Sequence, residues 1–303
     1  MSVDLEGYLA ERRRLVDEAL DRLLPKADAY PSAIHAAMRY SVCAGGKRLR
    51  PILVIAGAEA AGGSAEDVMP TACAMELIHT YSLIHDDLPA MDDDEYRRGL
   101  PTSHKVFGEA IAILAGDALL TLAFRLLAEN FAGGRATTAA RNPGRLREIL
   151  AEITEAAGTF GMIGGQVVDV QSEGRSVGAE TLEYIHTHKT AALIRASLRA
   201  GALLVGASRE VLDAMSIAGA RLGLAFQIVD DILDEEGSLE ELGKTAGSDR
   251  RKKKVTYPGQ FGLEASRVRA KALVEEAKSA LKPLGVSATP IIALADFILE
   301  RRR

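Results

Sequence analysis

The 303-residue sequence has no tryptophan, only seven tyrosines and seven phenylalanines, and two cysteines. Cys43 and Cys73 are too few for a disulfide framework, and their apolar, helix-like surroundings predict buried thiols of a reducing compartment. Positive charge is not in excess: 37 Lys+Arg against 42 Asp+Glu leave a net charge of −5, which argues against a general nucleic-acid binder. No uninterrupted run of ~18 apolar residues is present, which predicts no membrane span. Met1-Ser2-Val3-Asp4-Leu5-Glu6 lacks the basic and apolar regions of a secretory signal, so the expected location is cytoplasmic. Runs of alternating β-branched residues are also missing, which speaks against a sheet-based fold.

What is present is helical periodicity. Leu77, Tyr81, Ile84 and Leu88 form an apolar stripe, and Leu222, Phe226, Val229 and Leu233 repeat its spacing. With 48% hydrophobic and 26% charged residues, the chain has the profile of a folded globular protein. The pattern predicts helices over 4–24, 32–44, 51–61, 66–88, 107–130, 145–172, 179–205, 209–235, 261–282 and 289–301. The breaks are short and carry Gly, Pro or charge, as at Gly62-Gly63, Pro89, Gly133-Gly134 and Pro143-Gly144. The longest polar break, 236–260, contains Arg250-Arg251-Lys252-Lys253-Lys254, and none reads as an interdomain linker. The expected architecture is a single all-α domain over 1–303, a bundle of about ten helices.

Two acidic clusters dominate the chemistry. His85-Asp86-Asp87-Leu88-Pro89-Ala90-Met91-Asp92-Asp93-Asp94 and Gln227-Ile228-Val229-Asp230-Asp231-Ile232-Leu233-Asp234 each continue the C-terminal part of an apolar helix. A helix end already carries partial negative charge, so carboxylates concentrated there call for a cation. Asp230 and Asp234 are i, i+4 and share a face. Pro89 ends or kinks the first helix, which lets the chain turn and return Asp92 toward Asp86. Carboxylates without a His/Cys cluster suit Mg²⁺, which combines a few of them with phosphate oxygens and water. A phosphorylated substrate follows. Cations stand nearby in small groups: Gly45-Gly46-Lys47-Arg48-Leu49-Arg50-Pro51 before a helix, Arg97-Arg98-Gly99, His188-Lys189-Thr190, Lys244-Thr245 and Lys254-Val255-Thr256-Tyr257-Pro258. Beside two Mg²⁺ sites they would bind the remaining phosphate charge.

Gly46-Lys47-Arg48-Leu49-Arg50-Pro51, Asp86-Asp87-x4-Asp92, Arg97-Arg98-Gly99, Gly116-Asp117, Gly165-Gln166, Lys189-Thr190 and Asp230-Asp231-x-x-Asp234 occur in one order. Over residues 40–260 this order resembles the trans-prenyl diphosphate synthases. The stretch Tyr81–Asp92 looks most like the bacterial-type farnesyl diphosphate synthases. The resemblance implies a helical bundle around a deep central cavity, commonly a homodimer, that joins an allylic diphosphate to isopentenyl diphosphate head to tail. It implies about three Mg²⁺ ions per site, replaceable by Mn²⁺, held by Asp86, Asp92 and Asp230 with Asp87 and Asp234 close by. It assigns Arg97, Lys189, Thr190, Gln227, Lys244 and Lys254 to the allylic diphosphate, and Lys47, Arg50, His79 and Arg98 to isopentenyl diphosphate. It also places the residues that limit chain length at Tyr81 and Ser82, where a bulky Tyr81 suits a fifteen-carbon product. Two segments depart from the family pattern: a long 132–144 connection, and Pro258-Gly259-Gln260-Phe261 in place of more apolar residues.

A geranylgeranyl or longer-chain synthase differs from this reading mainly in pocket depth and stays open. A class I terpene cyclase fits less well, because cyclases guide cations with aromatic faces and this chain has 5% aromatics. A non-catalytic synthase-like subunit is the alternative outside enzymes, and the acidic and cationic groups argue against it. The C-terminal Glu300-Arg301-Arg302-Arg303 reads as a solvated end, with a second reading in which an arginine folds over substrate phosphates.

Overall fold

Asp4 opens the first helix by accepting a hydrogen bond from the Gly7 amide, and α1 runs Leu5–Leu23. In this computed structural model residues 4–132, 143–236 and 255–301 are described. α2 (Ser32–Cys43) and α3 (Leu49–Ala60) follow. A capping box between Ser64 and Asp67 starts α4 (Ala65–Asp86). Next come α5 (Ser103–Phe107), α6 (Glu109–Ala132), α7 (Pro143–Ala157), α8 (Met162–Ser172) and α9 (Ala179–Ile185). A π-helical turn, His186–Ala191, leads into α10 (Ala192–Leu204) and α11 (Arg209–Glu236). α12 (Tyr257–Phe261), α13 (Leu263–Leu281) and α14 (Thr289–Glu300) complete the chain. Packing runs in the spatial order α6, α4, α3, α10, α11, α13, and one continuous apolar core joins these helices.

The expected helices are all found, with three interruptions. The segment expected as one helix over 145–172 breaks at Gly158–Gly161, where Gly161 leaves helical geometry (φ −140°, ψ −128°). The segment over 179–205 contains the π turn. The segment over 107–130 is preceded by the short α5, and Gly108 (φ 82°) separates the two. A two-residue-strand hairpin also forms after the first acidic cluster: β1 (Tyr96–Arg97) pairs antiparallel with β2 (Leu100–Pro101). Its turn residues Arg98 and Gly99 both have positive φ (54° and 78°), as a type I′ turn requires. Strands this short leave no alternation to read.

Two further expectations change. Cys73 is buried and its thiol is pushed up to about 12 by burial, but Cys43 is exposed. By length and composition Glu109–Asn130, Arg209–Glu236 and the stretch Leu263–Glu300 are long and apolar enough to cross a membrane. Each is interrupted by isolated charges, such as Asp117 and Arg125 in α6, so a search for uninterrupted apolar runs passes over them. In α6 one face is core (Ala112, Ala115, Leu119, Leu126), while Ile113, Leu114 and Phe124 are exposed.

Asn130, near the end of α6, is inserted into the first turns of α4 beside Pro70. Its Oδ1 accepts from the Thr71 amide (3.1 Å) and hydroxyl (3.1 Å), and its Nδ2 donates to the Asp67 carbonyl (2.9 Å). Asn130→Leu would leave these buried groups without partners, so we expect urea unfolding to report a loss of about 1–3 kcal/mol. An unchanged midpoint would show that Pro70 needs no such support.

Candidate active site

The C-terminal end of α4 carries the first acidic cluster. Asp87 caps the helix, and Pro89 prevents its continuation. The chain then turns, and the Asp92 amide donates to the Asp86 carbonyl (2.8 Å), so the expected return of Asp92 toward Asp86 is present. Asp86 lines a large cavity. Asp87 does not: its side chain is 5% exposed and accepts from Arg97 Nε (2.6 Å). Burial raises its carboxyl above the usual range, and Arg97 opposes that rise. Asp87 is therefore corrected from metal neighbour to buried partner of Arg97. Arg97, which also donates to Asp94 (3.2 Å), lines the cavity with its charge already engaged.

The second cluster divides in the same way. Asp230 and Asp234 line the cavity from α11, with the Asp230 side chain 49% exposed. Asp231, for which no separate role was expected, is buried. Its Oδ1 accepts from Gln227 Nε2 (3.2 Å). Its Oδ2 accepts from the Tyr257 amide (2.8 Å) and lies 3.2 Å from His186 Nε2. Gln227 Oε1 in turn accepts from the Thr190 hydroxyl (2.8 Å). Asp231 thus ties α11, the π turn and α12 together behind the cavity wall.

Lys189 and Thr190 sit on the π turn, a distortion that commonly occurs at functional sites. Lys189 Nζ donates to Asp169 (2.6 Å), a residue of α8 that no motif singles out. α8 and the π turn pack so closely that a Cβ on Gly165 would lie 2.3 Å from the Lys189 backbone nitrogen. Only glycine fits there without displacing the lysine. Asp169 follows Gln166 by three residues, but its partner lies twenty positions away, and no local pattern announces it.

The basic groups divide between structure and site. Arg48 is buried and borders the cavity, but its guanidinium is already bonded to Glu76 (2.7 Å), Asp17 (2.8 Å) and the Val42 carbonyl (2.7 Å), so it serves first as a structural pair. Lys47, Arg50, His79 and Arg98 all line the cavity. Burial lowers the Arg50 guanidinium to about 10, with Arg98 adding repulsion and Glu76 opposing it. Burial, then Arg50 and Arg98, drive His79 well below its ordinary value, so it is neutral. Arg50 Nε is buried with no hydrogen-bond partner. Clustered cations with an unsatisfied donor are what an anion would satisfy. Gly46 (φ 133°) is held under the Arg98 guanidinium, which a Cβ would strike at 2.7 Å.

Arg301 is not the solvated end that the sequence suggested. It is buried against the cavity beside Asp230. Lys244 and Lys254 lie outside the described residues, as does most of the 132–144 connection. The Pro258–Phe261 segment forms α12, whose first turn is capped by Thr256.

The cavity measures about 1330 Å³, above the common range for one small ligand and ample for two. Its lining also includes apolar side chains. Ile163, Val167 and Val170 fall at i, i+4, i+7 on α8, and Phe226 and Leu233 come from α11. Tyr81 and Ser82, the positions expected to limit chain length, line it from α4 beside Asp86. The donors at both acidic ends are carboxylate oxygens, which suit a hard divalent ion. Among the described residues no group of three His, Cys, Asp or Glu gathers round one point. An ion here would complete its shell with diphosphate oxygens and water.

The polyprenyl synthetase family profile matches residues 31–283. A dimethylallyltranstransferase of Fischerella ambigua is 49% identical over 299 residues, covering 98% of this chain and 84% of that protein. A geranylgeranyl diphosphate synthase of Cyanophora paradoxa is 47% identical, covering 98% of this chain and 97% of the other. Among solved structures, an FPP/GFPP synthase from Zymomonas mobilis superposes with a TM-score of 0.86 at 34% identity, covering 99% of this chain and 100% of that one. A geranylgeranyl pyrophosphate synthetase from Pyrococcus horikoshii gives 0.85 at 32% identity, covering 98% and 99%. The all-helical cavity, its two aspartate clusters and these similarities agree: the chain belongs to the polyprenyl synthetase family of trans-prenyl diphosphate synthases.

Proposed function

We propose that the protein joins isopentenyl diphosphate to allylic diphosphates in a Mg²⁺-dependent reaction and carries the chain to geranylgeranyl diphosphate, twenty carbons. The observation that carries the chemistry is one cavity bordered by Asp86 and Asp230, by the cations Lys47, Arg50 and Arg98, and by apolar side chains of α8 and α11. Mg²⁺ held through Asp86, Asp92, Asp230 and Asp234 would neutralise the charge that develops on the departing diphosphate. Lys189 and Thr190 orient that diphosphate, while Lys47, Arg50 and Arg98 hold the isopentenyl diphosphate. The allylic C–O bond breaks with its electron pair on the diphosphate, and the isopentenyl alkene attacks the carbon left behind. The proton then lost goes to the departing diphosphate, so no side chain is needed as base. The apolar walls exclude water that would quench the cation.

The twenty-carbon product replaces the fifteen-carbon one that Tyr81 suggested. Support comes from a relative named as a geranylgeranyl diphosphate synthase at 47% identity and one named as the large subunit of a heterodimeric geranylgeranyl pyrophosphate synthase at 48%. Tyr81 itself packs edge-on to His85 (5.8 Å between ring centres), and the apolar wall of α8 gives the chain a further surface. The test is incubation with isopentenyl diphosphate and dimethylallyl, geranyl or farnesyl diphosphate, followed by chromatography of the dephosphorylated products. Geranylgeraniol is expected from all three, and an end point at farnesol would return the fifteen-carbon reading. Tyr81→Ala should lengthen the product beyond that of the wild type, and an identical product would remove Tyr81 from length control. The exposed Ile113, Leu114 and Phe124 on α6 support a homodimer through that helix.

A further inference from the structure

Arg301 follows the last turn of α14, yet its side chain is only 3% exposed. The guanidinium lies over the Phe226 ring (3.8 Å to the centroid) and donates from Nη2 to the Phe226 carbonyl (2.7 Å). The same nitrogen is 3.3 Å from Asp230 Oδ1, and Nε is buried without a hydrogen-bond partner. A buried guanidinium is costly unless a carboxylate answers it, and Asp230 is that carboxylate. The ring and the carbonyl hold the cation where it is, so it cannot withdraw freely when a second cation approaches.

We propose that Arg301 is the resident counter-cation of the second aspartate cluster, and that it keeps Asp230 from binding a divalent ion until a diphosphate enters with the ion. The inference rests on the metal-dependent reading above and adds an order to it. A divalent ion alone meets a fixed positive charge beside its ligand, which weakens binding by Coulomb repulsion. An ion arriving with a diphosphate brings an excess of negative charge, and the same guanidinium then faces an anion. Arg301 thereby biases the site toward metal–diphosphate and away from metal alone. It acts through Asp230, as a positioning residue.

The experiment measures Mn²⁺ binding to the full-length protein by the loss of the free-ion electron paramagnetic resonance signal, with and without inorganic pyrophosphate. Without pyrophosphate, Arg301→Gln should bind Mn²⁺ about tenfold more tightly than the wild type, while Arg301→Lys, which keeps the charge, should stay within about twofold of it. With pyrophosphate the advantage of Arg301→Gln should disappear. Circular dichroism verifies that both variants fold, and Arg301→Lys carries the charge test if the glutamine variant does not. In that case an Arg301→Lys protein that binds Mn²⁺ alone tenfold more tightly overturns the proposal. Equal Mn²⁺ affinity of wild type and Arg301→Gln without pyrophosphate also overturns it and leaves the enzymatic reading intact. Failure of the wild type to bind Mn²⁺ even with pyrophosphate would overturn the metal-dependent reading, and this inference with it.

Discussion

Asp86→Ala and Asp230→Ala should each lower turnover by ~10²–10³-fold or more while leaving the helical circular dichroism spectrum unchanged. The size follows from the chemistry. Ionising an allylic diphosphate leaves a polyanion, and in a water-poor cavity nothing lowers the barrier more than stabilising that charge. Each substitution removes a carboxylate from one of the two places where a bridging cation can be held. The fold is spared because both side chains border the cavity rather than the core, and Asp230 is half exposed. Removing Asp230 does leave the Arg301 guanidinium without its carboxylate, but the Phe226 carbonyl and ring still hold it. Steady-state kinetics with saturating Mg²⁺, beside thermal unfolding, check both halves of the expectation. Near-native turnover in either variant would overturn the assignment of these aspartates.

The sequence was most readable where chemistry and local geometry coincide. Pro89 forces a turn after α4, so the return of Asp92 to Asp86 could be foreseen from one residue type. The i, i+4 spacing of Asp230 and Asp234 likewise placed both on one face, and both line the cavity. Paired aspartates were harder. Neighbouring helix positions differ by ~100°, so Asp86 and Asp87, or Asp230 and Asp231, cannot present the same face. Which member turns inward depends on Arg97, ten residues on, in one case, and in the other on Gln227 one turn earlier together with His186 and Tyr257, which come from distant segments. Arg48 and Arg50 pose the same problem two positions apart: both border the cavity, but Glu76 and Asp17 already pair the first, while the second keeps a buried Nε without a partner. The π turn under Lys189 has no signature in periodicity, because one added residue in a helical turn alters no apolar pattern over so short a stretch. Product length was least readable, since the cavity that would set it is lined from α4, α8 and α11 rather than by Tyr81 alone.

Asp231→Ala should show the opposite pattern to its neighbour: a loss of about 2–4 kcal/mol in unfolding free energy from the unmade buried hydrogen bonds, with a fall in kcat/KM that follows from a loosened wall. Asp231 is buried, and three groups from three elements converge on its two oxygens. Alanine would leave the Tyr257 amide and the Gln227 and His186 nitrogens facing a void, each with a buried hydrogen bond unmade. It would also release Gln227 to rotate. Its Oε1 would then no longer be aimed at the Thr190 hydroxyl, so the proposed diphosphate contact of Thr190 would be lost at one remove. Asp231→Asn keeps the shape and one acceptor oxygen but turns an amide donor toward donors already present. It should fall between wild type and alanine in stability, and it should not recover full kcat/KM. Urea unfolding and steady-state kinetics on Asp230→Ala and Asp231→Ala, taken together, separate the two roles. Asp230 should cost activity far more than stability, its stability loss being confined to the unanswered Arg301, and Asp231 should cost stability first. If Asp231→Ala unfolds at the wild-type midpoint, the buried hub does not hold this wall, and the orientation of Thr190 and Gln227 must come from the packing of the π turn against α8 and α11.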